Sequence, residues 1–211
     1  MRKFLRSIVE GLIWLWSKLY TYQFSRLLES LNNLIYTMWI RNFLGEVGKG
    51  TYISRPLILQ GGGRQRIKIG SKTSIGHHCV LGCWEQYGNE RFEPEIIIGN
   101  HCSIGEYCHF TAINRITIAD GLLTGRFVYI GDNSHGGLSM DEANTPPARR
   151  RLASKGEIKI GRNVWIGDKV SILGGVTIGD NVIVGAGSIV THCIPNNCIV
   201  AGVPARIVKR I

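Results

Sequence analysis

At 211 residues the chain is long enough for one main domain with an appendage. Lys and Arg number 25 against 15 Asp and Glu, and the net charge of +10 favours an anionic partner. The basic residues are scattered without a helix-turn-helix, zinc-finger or RNA-binding aromatic motif, which sets nucleic acid aside, and six cysteines without a C-x-x-C pair read as reduced cytoplasmic thiols rather than disulfides or metal ligands.

The first 44 residues differ in kind from the rest. Leu5, Ile8, Leu12, Leu15 and Leu19 recur at helical spacing, and so do Phe24, Leu27, Leu28, Leu31, Leu34, Ile35 and Met38. One or two amphipathic helices are predicted. The longest apolar run, Leu12 to Trp16, is far short of the ~20 residues that a membrane span needs. Glu10 interrupts the apolar stretch and no small-residue cleavage site follows, which argues against a signal peptide. Two readings remain. The segment covers the open end of the following domain, or it lies as a basic amphipathic helix on a membrane surface with Trp14 and Trp16 at the interface.

In the domain that follows, residues 45–211, a period of six appears from Ile69 onward. Hexads begin at Ile69, Ile75, Ile98, Ile104, Ile118, Thr124 and Ile130, and run without a break from Ile160 through Ile166, Ile172, Ile178 and Val184 to Val190. An α-helix returns its apolar face every 3.6 residues and a plain strand every two, so neither explains a strict six. A coil of short strands joined by tight bends does. The aliphatic points inward, Gly161, Gly167, Gly179 and Gly185 permit the bends, and the place four residues after the aliphatic is small or β-branched. Val164, Val170, Val176, Val182 and Ser188 hold that place, and Cys79, Cys102 and Cys108 fill it upstream as compact apolar residues. Repeats at fixed period imply an all-β solenoid, each coil burying its face against the next. Two segments break the phase, near 82–97 and 138–158, and the second carries Pro146, Pro147 and Arg149 to Arg151. Insertions of this kind fall as loops on one face, often the working face.

Three stretches carry a family resemblance: "IGDNSHGG", "IGRNVWIGDKVSILGGVTIGDNVIVGAGSIVTHCIPNN" and "VAGVPARIVKRI". Across residues 45–211 the chain resembles the hexapeptide-repeat acyltransferases, in the branch of galactoside, maltose and polysaccharide O-acetyltransferases. The resemblance implies a left-handed parallel β-helix, three hexads to a coil. It also implies a homotrimer with acetyl-CoA between neighbouring subunits and a sugar or glycan acceptor. The hand comes from the resemblance alone, since parallel crossovers are otherwise right-handed.

Acetyl transfer from a thioester to a hydroxyl needs a base for the hydroxyl proton and a donor for the oxyanion. Histidine suits the first role near neutral pH. Among six histidines His135 stands out: Gly136 and Gly137 follow it, the regular repeat stops there, and it ends the family's Asp-x-x-His stretch, Asp132 to His135. Related sequences often have a histidine after the aspartate, where this chain has Asn133. Asp132 either orients the imidazole or shapes the turn. His77, His78 and His101 read as surface or corner residues. By resemblance His109 and Asn114 fall near the acceptor, and the coenzyme-contacting positions map onto Asp168, Ala186, Thr191, His192, Arg206 and Lys209. Three of these depart from the commoner residues, with Asp168 for Ser, His192 for Lys and Lys209 for Arg. Trp165, at an outward position, suits a subunit interface or the coenzyme's sulfur end. No metal is expected.

The rival readings are an N-acetyltransferase acting on an amino sugar, a zinc β-helix enzyme of the γ-carbonic anhydrase kind, and a non-catalytic scaffold. The zinc enzyme would need two histidines five residues apart, a spacing no pair here has. A cytoplasmic enzyme is expected, with peripheral contact at the inner membrane face if the N-terminal helix binds lipid.

Overall fold

The computed structural model describes residues 2–136, 142 and 144–211. Two helices come first, α1 (Arg2–Leu19) and α2 (Tyr22–Ile40). Tyr20 and Thr21 separate them, and Thr21 caps α2, its side chain accepting from the Phe24 N–H. The helices differ in what they cover. α1 buries none of its residues, whereas α2 buries Asn33, Thr37 and Ile40.

The buried part of α2 closes the coil's first edge with side chains. Thr37 Oγ1 accepts from the Ile53 N–H at 2.9 Å, Tyr36 Oη from the Leu57 N–H at 2.9 Å, and Asn33 Oδ1 from the Arg55 N–H at 3.1 Å. Backbone donors at an open sheet edge are therefore satisfied without a further strand. His77 adds a tie, with its Nδ1 on the Arg55 carbonyl at 2.7 Å and its Nε2 3.1 Å from Glu29 of α2.

The rest of the chain winds into a parallel β-helix with three flat faces. Two faces are six-stranded sheets and the third has eight strands. Stacked strands pair in register, so equivalent hexad positions lie above one another. Ile98 pairs with Ile118, Ile118 with Ile160, and Ile160 with Ile178 on one face. Phe110, Ile130, Ile172 and Val190 form the matching column on another. The full coil is eighteen residues where the repeat is uninterrupted, as from Ile160 to Ile178 and from Ile166 to Val184. Both inward positions of each hexad are buried: the aliphatics at 160, 166, 172, 178, 184 and 190, and Val164, Val170, Val176, Val182 and Ser188 between them. Each such Ile contributes roughly 1.5–3 kcal/mol of apolar burial.

The bends revise the expected role of glycine. The left-handed backbone conformation falls three residues after the inward aliphatic, at Lys72, His78, His101, Tyr107, Phe127, Asn163, Lys169 and Asn181, and at Gly121, Gly175 and Gly187. The glycines one residue after the aliphatic, such as Gly161 and Gly167, do not have positive φ. They are needed because coils meet there. A Cβ on Gly167 would lie 2.6 Å from the Ala186 nitrogen of the next coil, and one on Gly161 would lie 2.7 Å from the Asp180 nitrogen. The hexad glycine thus serves stacking, and the bend is made two residues later.

Two hairpins leave the coil. The first pairs Gln86–Tyr87 with Glu90–Arg91, and the second pairs Asn133–His135 with Leu152–Ser154, both antiparallel. At the far end Ala205–Arg210 folds back antiparallel on Cys198–Gly202 and covers the edge of the eight-stranded sheet.

Candidate active site

His135 sits on the second hairpin, where the chain leaves the strand Tyr129–Gly131. Its ring is exposed and stands edge-on to Tyr87 of the first hairpin, centroids 5.3 Å apart at 69°. Gly136 follows with φ +76°, and a Cβ there would meet Arg150 Cδ at 3.0 Å. Glycine therefore lets the Arg150 stem lie beside His135. Gly137, the second glycine of the motif, lies outside the described residues, as do 138–141 and 143 of the insertion.

His135 and His109 line one cavity of about 360 Å³, together with Gln60, Trp84, Tyr87, Thr111, Tyr129, Asn133, Ser134 and Leu152. His109 comes from the next strand toward the N-terminus and pairs in register with Tyr129. The two rings meet edge-on, centroids 5.6 Å apart. Burial holds the His109 imidazole below its usual pKa, so it is neutral at pH 7. Its Nε2 is buried without a hydrogen-bond partner in the chain. An unpaired imidazole nitrogen beside a cavity is a group a polar ligand can satisfy. Burial also raises the Tyr129 phenol.

Asp132 does not reach either imidazole. It is 1 % exposed, and its two oxygens accept from the Ile113 and Asn114 N–H groups, each at 2.9 Å. Burial raises its pKa, against the lowering effect of those hydrogen bonds. Of the two roles open to Asp132, the geometry is that of shaping the turn: the carboxylate ties the His135 strand to the turn one coil earlier. Asn133 fixes the same junction, its Nδ2 donating to the Thr111 carbonyl at 3.2 Å. Asn114 is exposed, lends its backbone N–H to Asp132, and does not line the cavity with His109.

The expected coenzyme residues fall into three groups. Asp168 and Ala186 occupy one corner of the coil, where the Gly187 N–H donates to the Asp168 carbonyl at 2.8 Å. The Asp168 carboxylate is already used, accepting from the Arg126 N–H at 2.8 Å. Thr191 and His192 follow the strand Ile189–Val190 and bond each other, Oγ1 to Nδ1, at 2.7 Å. Arg206 and Lys209 lie exposed on the terminal strand. None of these residues is among those lining the cavity that holds His135. Trp165 is half exposed on the eight-stranded face.

A second, smaller cavity of about 190 Å³ lies on the C-terminal side of the His135 hairpin, between Asp132, Ser134, Ala153, Lys155, Leu173 and Gly174. The hairpin thus divides two spaces. One runs over the coils before Tyr129 and the other over the coil after it. Among the described residues no three His, Cys, Asp or Glu side chains converge as a metal site.

Trp84, Tyr87, Tyr129 and Gln60 were not picked out from the sequence. Trp84 and Tyr87 carried a readable signal, being two aromatics inside a segment that breaks the repeat. Tyr129 and Gln60 carried none, since outward strand positions look alike until stacking brings them together.

Residues 157–192 match the family model described as bacterial transferase hexapeptide (six repeats). The putative lipopolysaccharide biosynthesis O-acetyl transferase WbbJ of Escherichia coli is 38 % identical over 119 residues, 54 % of this chain and 60 % of that protein. The galactoside O-acetyltransferase of Escherichia coli is 41 % identical over 131 residues, 58 % of this chain and 62 % of that protein. The chain thus spans about three fifths of the length of these curated relatives. Among solved structures, AntD, an N-acyltransferase from Bacillus cereus in complex with dTDP and 3-hydroxybutyryl-CoA, superposes with a TM-score of 0.65 at 21 % identity, over 83 % of this chain and 87 % of that one. The fold shared with such neighbours is the left-handed parallel β-helix. By its matched repeat over residues 157–192 and its coil, the chain is similar to the hexapeptide-repeat transferases, and its likeness lies with the sugar and polysaccharide acetyltransferases.

Proposed function

We propose that the chain transfers an acetyl group from acetyl-CoA to a hydroxyl of a sugar or polysaccharide acceptor. The observation that carries this reading is the cavity holding the exposed His135 and the unpaired Nε2 of His109. It is walled by Trp84, Tyr87 and Tyr129, aromatic surfaces suited to sugar rings. The O-acetyltransferase names of two relatives point the same way.

In this reading His135 takes the proton of the acceptor hydroxyl. The oxygen forms its bond to the thioester carbonyl carbon, the carbon–sulfur bond breaks, and the imidazolium returns the proton to the departing thiolate. Acetyl-CoA supplies an acyl group that is already activated. His109 positions the acceptor through a second hydroxyl, and its neutral imidazole suits hydrogen bonding better than a charge would. The coenzyme reaches His135 from the C-terminal side of the hairpin. Exposed Arg206 and Lys209 suit its phosphates, and the corner at Asp168 and Ala186 suits its amide arm. Three chains assemble so that these groups, separate in one chain, meet between neighbours. The exposed Trp165 supports a subunit contact. The test is mass-detected acetylation of a panel of glycans and amino sugars by acetyl-CoA. Transfer to amines alone would replace this reading with the N-acetyltransferase one.

The N-terminal helices divide their work. The end of α2 caps the first coil, while α1 presents Phe4, Leu12, Trp14, Trp16 and Leu19 to solvent. Among the described residues no helix is long and apolar enough to cross a membrane. Arg2, Lys3, Arg6 and Lys18 against a single Glu10 suit an anionic lipid surface, so α1 lies on the inner membrane face of a cytoplasmic enzyme. Leu12→Glu in the full chain should abolish co-sedimentation with anionic vesicles and leave the fold intact. Retained co-sedimentation would overturn the anchor.

A further inference from the structure

A cavity of about 720 Å³ is separate from the one holding the histidines. It opens beside it, and Tyr87 is the wall between them, lining both. One side is the first hairpin, Tyr87 to Glu90. The other is Ala148 to Arg151 of the second insertion. Neither segment belongs to the repeat. They are fastened by two contacts: Tyr87 Oη donates to the Ala148 carbonyl at 2.7 Å, and Arg151 Nε donates to Glu90 Oε1 at 2.7 Å.

The charges in this cavity are unequal in their commitments. Arg151 is held by Glu90, and Glu142 adds a further negative field at Arg151. Arg150 gives its Nε to the Thr145 carbonyl at 2.8 Å, and its stem lies over Gly136 next to His135. Arg149 makes no ion pair among the described residues, where the pairs found include Arg151 with Glu90. Among the described residues lining the cavity, one carboxylate, Glu90, faces three guanidinium groups, and Arg149 has no carboxylate in the ion pairs of the described residues. Glu90 Oε2 is buried without a partner, an acceptor waiting for a hydroxyl.

A surplus of guanidinium beside an unpaired carboxylate oxygen matches a phosphate ester that has hydroxyls next to it. Two successive arginines meet a tetrahedral phosphate from different directions, and their forked donors suit its oxygens. A neutral sugar would satisfy the Glu90 oxygen and leave Arg149 without an anionic partner. Resting on the acetyltransferase reading above, we propose that this cavity binds the phosphate of a phosphate-linked sugar, so that the sugar projects past Tyr87 and offers its hydroxyl to His135. The acceptor is then a sugar phosphate or sugar diphosphate, on a nucleoside or a lipid carrier, rather than a finished neutral polysaccharide.

The test has a binding arm and a turnover arm, both on the full chain. Calorimetry with inorganic pyrophosphate, glucose 1-phosphate, UDP-glucose and methyl glucoside should show binding of the three phosphates and weaker binding of the neutral sugar. Arg149→Gln and Arg150→Gln should each weaken phosphate binding about 10-fold or more, as expected for a hydrogen bond to a charged group. Their melting temperatures report whether the fold is intact. The phosphates should still bind in the presence of saturating CoA; competition would assign the arginines to the coenzyme and overturn the proposal. In turnover, the ratio of kcat/KM for phosphorylated over neutral acceptors should exceed one and fall in both variants, chiefly through KM. A ratio near one in the parent chain, or preference for a uronic acid over a sugar phosphate, would also overturn it. The nucleoside and polyprenyl diphosphate acceptors, compared side by side, identify the carrier. If no acceptor is acetylated but phosphate binds through these arginines, the acetyltransferase reading fails and the phosphate site stands. Acetylation with no phosphate binding has the opposite meaning.

Discussion

Replacing Asp132 separates a brace from a catalytic group. Its carboxylate is 1 % exposed and holds two backbone N–H groups, those of Ile113 and Asn114, each at 2.9 Å. Asp132→Asn keeps one accepting oxygen and turns an NH2 toward the other N–H. One hydrogen bond to a charged acceptor is lost and a buried donor is left unpaired, at a cost of about 1–3 kcal/mol. Asp132→Ala loses both and should cost about 2–5 kcal/mol. For a domain of this size 1 kcal/mol moves the melting temperature by about 2–4 °C, so the Asn variant should melt roughly 2–12 °C lower. Thermal unfolding by circular dichroism measures the change, with acetyl transfer assayed well below the transition. If Asp132 only braces, turnover at low temperature changes far less than the ~10⁴-fold that loss of an imidazole-orienting carboxylate can cause. An unchanged melting temperature together with a collapse of kcat would refute the argument and return Asp132 to the imidazole.

His135→Ala should lower kcat by roughly 10²–10⁴-fold with an unchanged melting temperature, and undiminished turnover would remove His135 as the base. His109 has its folded pKa depressed by burial, so the stability linked to its neutral form is complete above the unfolded value of about 6.5 and is lost as pH falls from there toward the folded pKa. NMR titration should give a midpoint below 6.5, and the melting temperature should fall more steeply with acid in the parent chain than in His109→Gln. Gly167→Ala should cost about 1–3 kcal/mol because its Cβ would press within 2.6 Å of the Ala186 nitrogen. Gly11→Ala in α1, with nothing within 4 Å, should instead stabilise the helix by about 1 kcal/mol, read as increased helicity by circular dichroism. Equal responses at the two glycines would contradict the stacking argument.

The coil was legible because its cause is periodic. Any chain with an aliphatic every six residues and a small residue four later must bury both, and the columns from Ile98 to Ile178 and from Phe110 to Val190 are that requirement repeated. The place of His135 was legible as well, since the glycines, the break in phase and the Asp-x-x-His stretch of the resemblance all single it out. What surrounds it was not. Stacking places residue 109 beside residue 129, and a hairpin carries residue 87 to residue 135; neither neighbour follows from a local pattern. The same holds for Asp132, for which the sequence left open an imidazole or a turn, while its partners, the N–H groups of Ile113 and Asn114, lie one coil earlier. The helices repeat the lesson. Both were readable from apolar spacing, yet only packing separates α2, which lends Thr37, Tyr36 and Asn33 to the coil's open edge, from α1, which buries none of its residues. Periodicity dictates which residues turn inward, because burial acts on every repeat alike. Which outward residues meet depends on how many residues each insertion adds between coils, and that is decided only when the coils stack.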